Sequence, residues 1–187
     1  MQQRLFGTTG LTVSALGFGA GQIGSPAMAE ADVATLLNAA LDSGITLIDT
    51  ARGYGLSEER IGRHLAHRRQ DFVLSTKVGY DIPDYADWTG RTVTAGVDAA
   101  LSRLRTDYLD IVHLHSCPLD VLERGEVVEA LNEAVTAGKV RVAAYSGDNE
   151  PLEWAAQSGQ FGSLETSLNI CDQRVIERGL ALAQQRG

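Results

Sequence analysis

Glu30-Ala-Asp-Val-Ala-Thr-Leu-Leu-Asn-Ala-Ala-Leu-Asp-Ser-Gly-Ile-Thr-Leu-Ile-Asp49 is the stretch that decides the fold. Val33, Leu36, Leu37, Ala40 and Leu41 recur at i, i+3, i+4, i+7 and i+8, the stripe of a helix with one buried face, spanning Glu30 to Ser43. Gly44 then stops the helix as a C-cap. An apolar strand follows at once, Ile45 to Asp49, and ends on a carboxylate. Helix, glycine stop, short apolar strand and a polar residue at its tip form a unit that the rest of the chain repeats.

Ahead of this stretch lie an expected hairpin (Arg4-Leu-Phe, the turn Gly7-Thr-Thr-Gly10, then Leu11-Thr-Val13) and a first strand, Ala15 to Gly19. After it, Ser57 with Glu58 and Glu59 reads as a helix start, with anions at the positive end of the dipole. Strands are expected at Phe72 to Thr76, Leu109 to Leu114, Val140 to Tyr145 and Leu164 to Leu168. Helices are expected at Thr92 to Leu104, Val121 to Ala137 (ended by Gly138), Pro151 to Ser158 and Val175 to Gln185. Strict alternation of this kind means parallel strands joined by right-handed helical crossovers. An open doubly wound sheet and a closed eight-fold barrel both satisfy it. Leu16-Gly-Phe-Gly-Ala-Gly21 has the glycines of a nucleotide-binding turn. Ser25 and Pro26, among others, separate it from the next helix, so its amides do not sit at a helix N-terminus. The barrel is therefore the expected fold: a (β/α)8 TIM barrel with an N-terminal β-hairpin, of which residues 1–187 supply six of eight units as one domain.

Composition narrows the function. The chain has 187 residues, 44% hydrophobic and 21% charged, ordinary values for a globular protein. A net charge of −8 argues against a nucleic-acid partner or an anionic membrane surface, both of which need clustered Lys and Arg. Cys117 and Cys171 have neither the number nor the spacing of a disulfide framework or a zinc site. Met1-Gln-Gln-Arg-Leu-Phe6 lacks the pattern of a signal peptide, and no run approaches the roughly 18 apolar residues of a membrane span. The expectation is a cytoplasmic protein with reduced thiols.

Four residues lie at or just past successive strand ends: Asp49 and Tyr54 in Leu47-Ile-Asp-Thr-Ala-Arg-Gly-Tyr-Gly55, Lys77 in Leu74-Ser-Thr-Lys-Val78, and His115 in Asp110-Ile-Val-His-Leu-His115. Taken singly, each is ordinary as a cap, a packed ring or a solvated charge. In a barrel the C-terminal strand ends converge on one mouth, so the four meet. Asp49 then holds Lys77 charged, Lys77 lowers the pKa of the Tyr54 phenol, and His115 orients a carbonyl oxygen. Tyr54 would donate its proton to that oxygen as hydride reaches the carbon. His113 and His115, on the same side of their strand, could instead ligate zinc or iron with Asp49 in a metal-assisted hydrolase. Lys77 is an odd neighbour for such a cation. His64 and His67 read as solvated helix residues.

These residues resemble the aldo/keto reductase superfamily, through Gly17-Phe-Gly19, Ile48-Asp-Thr-Ala-Arg-Gly-Tyr-Gly-Leu-Ser-Glu58, Ser75-Thr-Lys77, Asp107-Tyr-Leu-Asp-Ile-Val-His-Leu-His115, Gly138-Lys-Val-Arg141 and Tyr145-Ser146. The resemblance implies an eight-fold barrel that reduces aldehydes or ketones, small-molecule carbonyl substrates, with NADPH, or alternatively NADH. It makes Asp49, Tyr54, Lys77 and His115 a catalytic tetrad with no metal. Ser146 would bond the nicotinamide carboxamide, while Gly19, Ala20 and Gly21 would line the cofactor and substrate mouth, with Asp49 beside them. Glu165 stands where the family has a carboxamide-gripping Gln, and an ionised carboxylate has no proton to donate. Gly147, Asp148 and Asn149 follow Ser146 where an Asn is common. A complete barrel needs about 250 residues, so the chain is expected to be a C-terminally incomplete member of the family. A catalytically inactive cofactor-sensing or regulatory barrel is the alternative. In the loop Gly79 to Gly90, Tyr80, Tyr85 and Trp88 offer an aromatic wall for an apolar carbonyl compound, or simple loop packing.

Overall fold

The computed structural model describes residues 1–187, except for the side chain of Arg178. Strand β1 (Gln3–Leu5) pairs antiparallel with β2 (Thr12–Ser14). Gly7 and Gly10 carry the turn between them at φ of 54° and 77°, angles that cost a glycine little. Six parallel strands follow in unbroken chain order: β3 (Gly17–Gly19), β4 (Leu47–Asp49), β5 (Val73–Val78), β6 (Leu109–His115), β7 (Val140–Ser146) and β8 (Ser163–Glu165). A doubly wound sheet reverses its order at a switch point, whereas here every strand lies beside its sequence neighbour, as in a barrel wall. The barrel architecture expected from the alternation is therefore present as a six-stranded wall with its N-terminal hairpin.

Strand periodicity sorts the side chains into two sets. One set packs outward against the helices: Ile48, Leu74, Val78, Val112, Leu114, Ala143 and Tyr145 are buried in a core shared with α1 (Glu30–Asp42), α2 (Ser57–Leu65), α3 (Gly90–Leu104) and α5 (Glu126–Thr136). The other set points inward in layers fixed by the register. Leu47, Val73, Ile111, Val142 and Ala144 form the lower, apolar cluster, closed by Phe6 and Leu11 of the hairpin. Above it the inward positions turn polar: Asp49 pairs in register with Ser75, Lys77 with His113, and His115 and Glu165 each with Ser146. An apolar floor under a polar mouth is thus written into the strands.

Several elements differ from the expected ones. The helix expected over Val121 to Ala137 is two, α4 (Leu119–Arg124) and α5, because Gly125 adopts φ 82° between them. Strand β8 ends at Glu165 rather than Leu168. The Asp148 carboxylate accepts from Thr166 Oγ1 (2.7 Å) and Ser167 N (3.3 Å), drawing the chain out of the ladder. Helix α6 (Asn149–Ser158) starts earlier than Pro151, and the last helical segment is a π turn, Ile176–Leu180, leading into α7 (Ala181–Arg186). His64 is not a free surface residue: its Nε2 lies 2.7 Å from Glu30 Oε1, in a cluster with Arg60 and Arg63 that ties α1 to α2. Asp110, on the outer face of β6, is buried between Arg69 (2.6 Å) and Arg141 (2.8 Å) and also accepts from Leu74 N. No helix among the described residues is long and apolar enough to cross a membrane.

Candidate functional site

The polar layer gathers the expected residues at the C-terminal ends of the strands. Lys77 sits one residue inside the end of β5, which runs on to Val78. Its side chain is fully buried, and Nζ donates to Asp49 Oδ2 at 2.5 Å and to the Thr50 carbonyl at 3.1 Å. Tyr54 lies on the loop after β4, with Lys77 Nζ 5.2 Å from its ring centre and the His115 ring edge-on at 6.1 Å. Gly24 makes that loop possible: a Cβ there would stand 1.6 Å from the Tyr54 carbonyl oxygen. The structure therefore brings Asp49, Tyr54, Lys77 and His115 together.

Ser146 closes β7 and its hydroxyl donates to Glu165 Oε1 at 3.4 Å. Glu165 Oε1 is also 3.4 Å from Lys77 Nζ, so the buried ammonium faces two carboxylates. Gly19 and Gly21 are exposed at the end of β3 while Ala20 is buried, its amide donating to the Asp49 carbonyl. Asn149 Oδ1 accepts from Arg174 Nη1 at 2.8 Å.

Three residues outside the expected tetrad belong to the cluster. Ser75 Oγ donates to Asp49 Oδ1 (2.8 Å) and stands 3.3 Å from His113 Nδ1. His113 pairs in register with Lys77, and its Nε2 lies 3.8 Å from Glu165 Oε2. The Tyr80 hydroxyl is 2.7 Å from His115 Nδ1, and its ring packs on Trp88. Tyr85, the third member of the expected aromatic wall, is exposed. Asp49, His113 and Glu165 offer ligand atoms within 4.8 Å of one another. The Lys77 ammonium already faces both carboxylates, and His115 is held by Tyr80 rather than turned to Asp49. An ammonium at that position repels a divalent cation.

Burial governs the charges here. It opposes protonation of Lys77, yet the carboxylates of Asp49 and Glu165 outweigh it and raise the Lys77 pKa above the usual amine value. Burial, and then the Lys77 charge, push the His115 pKa down, and carry His113 to about 4. Burial, and then the Asp49 charge, raise the Glu165 carboxyl above its usual range. His113 makes an expected pH dependence explicit. Between its ordinary 6.5 and about 4 the unfolded chain binds a proton that the folded one refuses, so stability rises with pH across that window. The full effect is about 3 kcal/mol. Denaturation followed from neutral pH down to about pH 4 should show a shallower loss in His113→Asn than in the parent; parallel curves would contradict it.

The architecture and this mouth define a class, a parallel α/β barrel wall with a buried lysine–aspartate pair beside a tyrosine and a histidine. The sequence pattern of the Aldo/keto reductase family matches residues 15–187. The chain belongs to that family. It is 35% identical over 156 residues to L-galactose dehydrogenase of Arabidopsis thaliana, covering 79% of this chain and 49% of that protein. It is 34% identical over 196 residues to an aldo-keto reductase of Bacillus subtilis, covering 98% of this chain and 59% of that one. A solved aldo-keto reductase from Bacillus halodurans, in its holo form, superposes with a TM-score of 0.88 at 31% identity, over 100% of this chain and 63% of its own. The chain spans about half the length of the curated relatives it matches.

Proposed function

We propose that this protein is a nicotinamide-dependent oxidoreductase that interconverts aldehydes or ketones with their alcohols, using NADPH or NADH, with Tyr54 as proton donor. The observation that carries it is the fully buried Lys77 ammonium, paired to Asp49 at 2.5 Å and set 5.2 Å from the Tyr54 ring centre. The free thiols of Cys117 and Cys171 suit a cytoplasmic setting.

The residues present fit a nicotinamide. A Cβ built on Gly19 would meet nothing within 4 Å, which leaves open space at the end of β3 for a flat ring. Across the mouth, the Ser146 hydroxyl and the Glu165 carboxylate stand at the ends of β7 and β8 as partners for a carboxamide. When bound, the reduced nicotinamide supplies the hydride. His115 directs a hydrogen bond at the substrate's carbonyl oxygen, and Tyr54 gives that oxygen its proton as charge develops on it. Lys77 stabilises the phenolate left behind, and Asp49 keeps Lys77 charged and in place.

Tyr80 acts through His115. A hydroxyl donating to Nδ1 leaves the ring proton on Nε2, the tautomer that can donate to a carbonyl oxygen. Tyr80→Phe is expected to lower kcat by about tenfold, the cost of one hydrogen bond, with cofactor affinity unchanged. Its pH profile should also shift, because His115 loses the hydroxyl that selects its tautomer. Unaltered kcat and pH profile would mean that Tyr80 does not act through His115.

Mixing the protein with NADPH or NADH and a panel of aldehydes and ketones tests the activity itself. Loss of the reduced cofactor's near-ultraviolet absorbance that depends on the carbonyl compound is the expected result. Tight cofactor binding with no turnover of any carbonyl would favour a sensing or regulatory barrel instead.

A further inference from the structure

We infer that Glu165 tunes the site toward the oxidised, cationic form of the nicotinamide cofactor. The inference rests on the reading above, in which the ring sits against the ends of β7 and β8.

The charge that the ring meets there follows from the groups facing Glu165 on every neighbouring element. Asp49 comes from β4, Lys77 from β5 (3.4 Å), His113 from β6 (3.8 Å) and Ser146 from β7 (3.4 Å). His113 is neutral at physiological pH because burial holds it near 4, and Ser146 carries no charge. Two carboxylates therefore face one ammonium, and the cluster keeps an excess negative charge once Glu165 is ionised. Lys77 makes its closest contact with Asp49, at 2.5 Å against 3.4 Å for Glu165, so the excess lies mostly on Glu165. It is also the outermost of the three: its side chain is 41% exposed, against 25% for Asp49 and 0% for Lys77. Of the three, Glu165 therefore offers the most accessible charge to a ring at the mouth.

The two redox forms of nicotinamide differ at the ring by one positive charge. The pyridinium neutralises the excess; the dihydropyridine does not. A half-shielded carboxylate a few ångströms from a delocalised cation shifts the ratio of affinities by about tenfold. Burial and the Asp49 charge hold the Glu165 carboxyl above its usual range, so the bias should grow as pH rises beyond the usual carboxylate range and the proton leaves. At lower pH the protonated carboxyl becomes a donor and the two forms bind more evenly.

The test is binding, measured without turnover. Dissociation constants for NADP+ and NADPH, and for NAD+ and NADH, are obtained by calorimetry on the parent and on Glu165→Gln, which keeps the shape and removes the charge. The expected result is that the oxidised-over-reduced preference of the parent falls by about tenfold in the variant. The parent's preference should rise with pH and the variant's should stay flat. Equal ratios in the two proteins, with both forms bound, would overturn the inference and leave the oxidoreductase reading standing. Binding of neither form by the parent would overturn that reading, and this inference with it. Matching thermal transitions of parent and variant establish that the comparison is between folded proteins.

Discussion

Tyr54→Phe is expected to lower carbonyl reduction by about a thousandfold, within the range typical of a lost general acid, while cofactor affinity stays within about twofold of the parent. The ring remains, so its packing against His115 and its place over the Lys77 ammonium survive. Only the hydroxyl goes, and with it the proton that the proposed mechanism gives to the substrate oxygen as hydride arrives. The change should therefore fall on kcat, with little effect on KM or on unfolding. Steady-state kinetics and cofactor titration on the same preparation separate these outcomes. Turnover near the parent rate would show that another group protonates the oxygen.

The second large effect combines activity and stability. Lys77→Met removes a fully buried ammonium and leaves Asp49 and Glu165 facing each other without their shared partner. Breaking a buried pair from one side costs about 3 kcal/mol or more, and carbonyl reduction should fall by about a thousandfold as the phenol loses its neighbouring charge. The pH dependence has a definite sign. The Lys77 pKa is raised in the fold, so its stabilisation is complete below the ordinary lysine pKa near 10.5 and is lost as pH rises through the higher folded value. The parent should therefore show an alkaline loss of stability that Lys77→Met lacks. Chemical denaturation at neutral and alkaline pH reads both quantities. A variant as stable as the parent, with the same alkaline limb, would mean that the pair does not hold the mouth together.

Much of this is legible in the sequence, for identifiable reasons. The Val33-Leu37-Leu41 stripe and its Gly44 stop lie within one helix, and local periodicity suffices for such elements. Asp49, Lys77 and His115 stand out because packing alone does not call for polar side chains at the tips of apolar strands. Ser75 gives no signal of its own, and His113 suggests only a metal ligand, because their roles depend on register. Only when Asp49 is set opposite Ser75, and Lys77 opposite His113, do they join the pair. The Tyr80 contact requires the path of the loop after β5, which brings it to His115 from another strand's end. Gly125 passes for a tolerated helix glycine until its positive φ divides α4 from α5. The end of β8 falls short of Leu168 because Asp148 captures Thr166 and Ser167, a side-chain contact between segments that no local pattern encodes. His64 reads as a surface residue for the same reason, its partner Glu30 lying on a different helix.

Hydride delivery to a carbonyl carbon is the central claim, and isotope transfer tests it most directly. The protein is incubated with an aldehyde and a reduced nicotinamide cofactor carrying deuterium at the transferring carbon. The predicted product is an alcohol with deuterium on the former carbonyl carbon and none exchanged with water. An alcohol without deuterium, or no alcohol from any carbonyl compound while the cofactor remains bound, would contradict it.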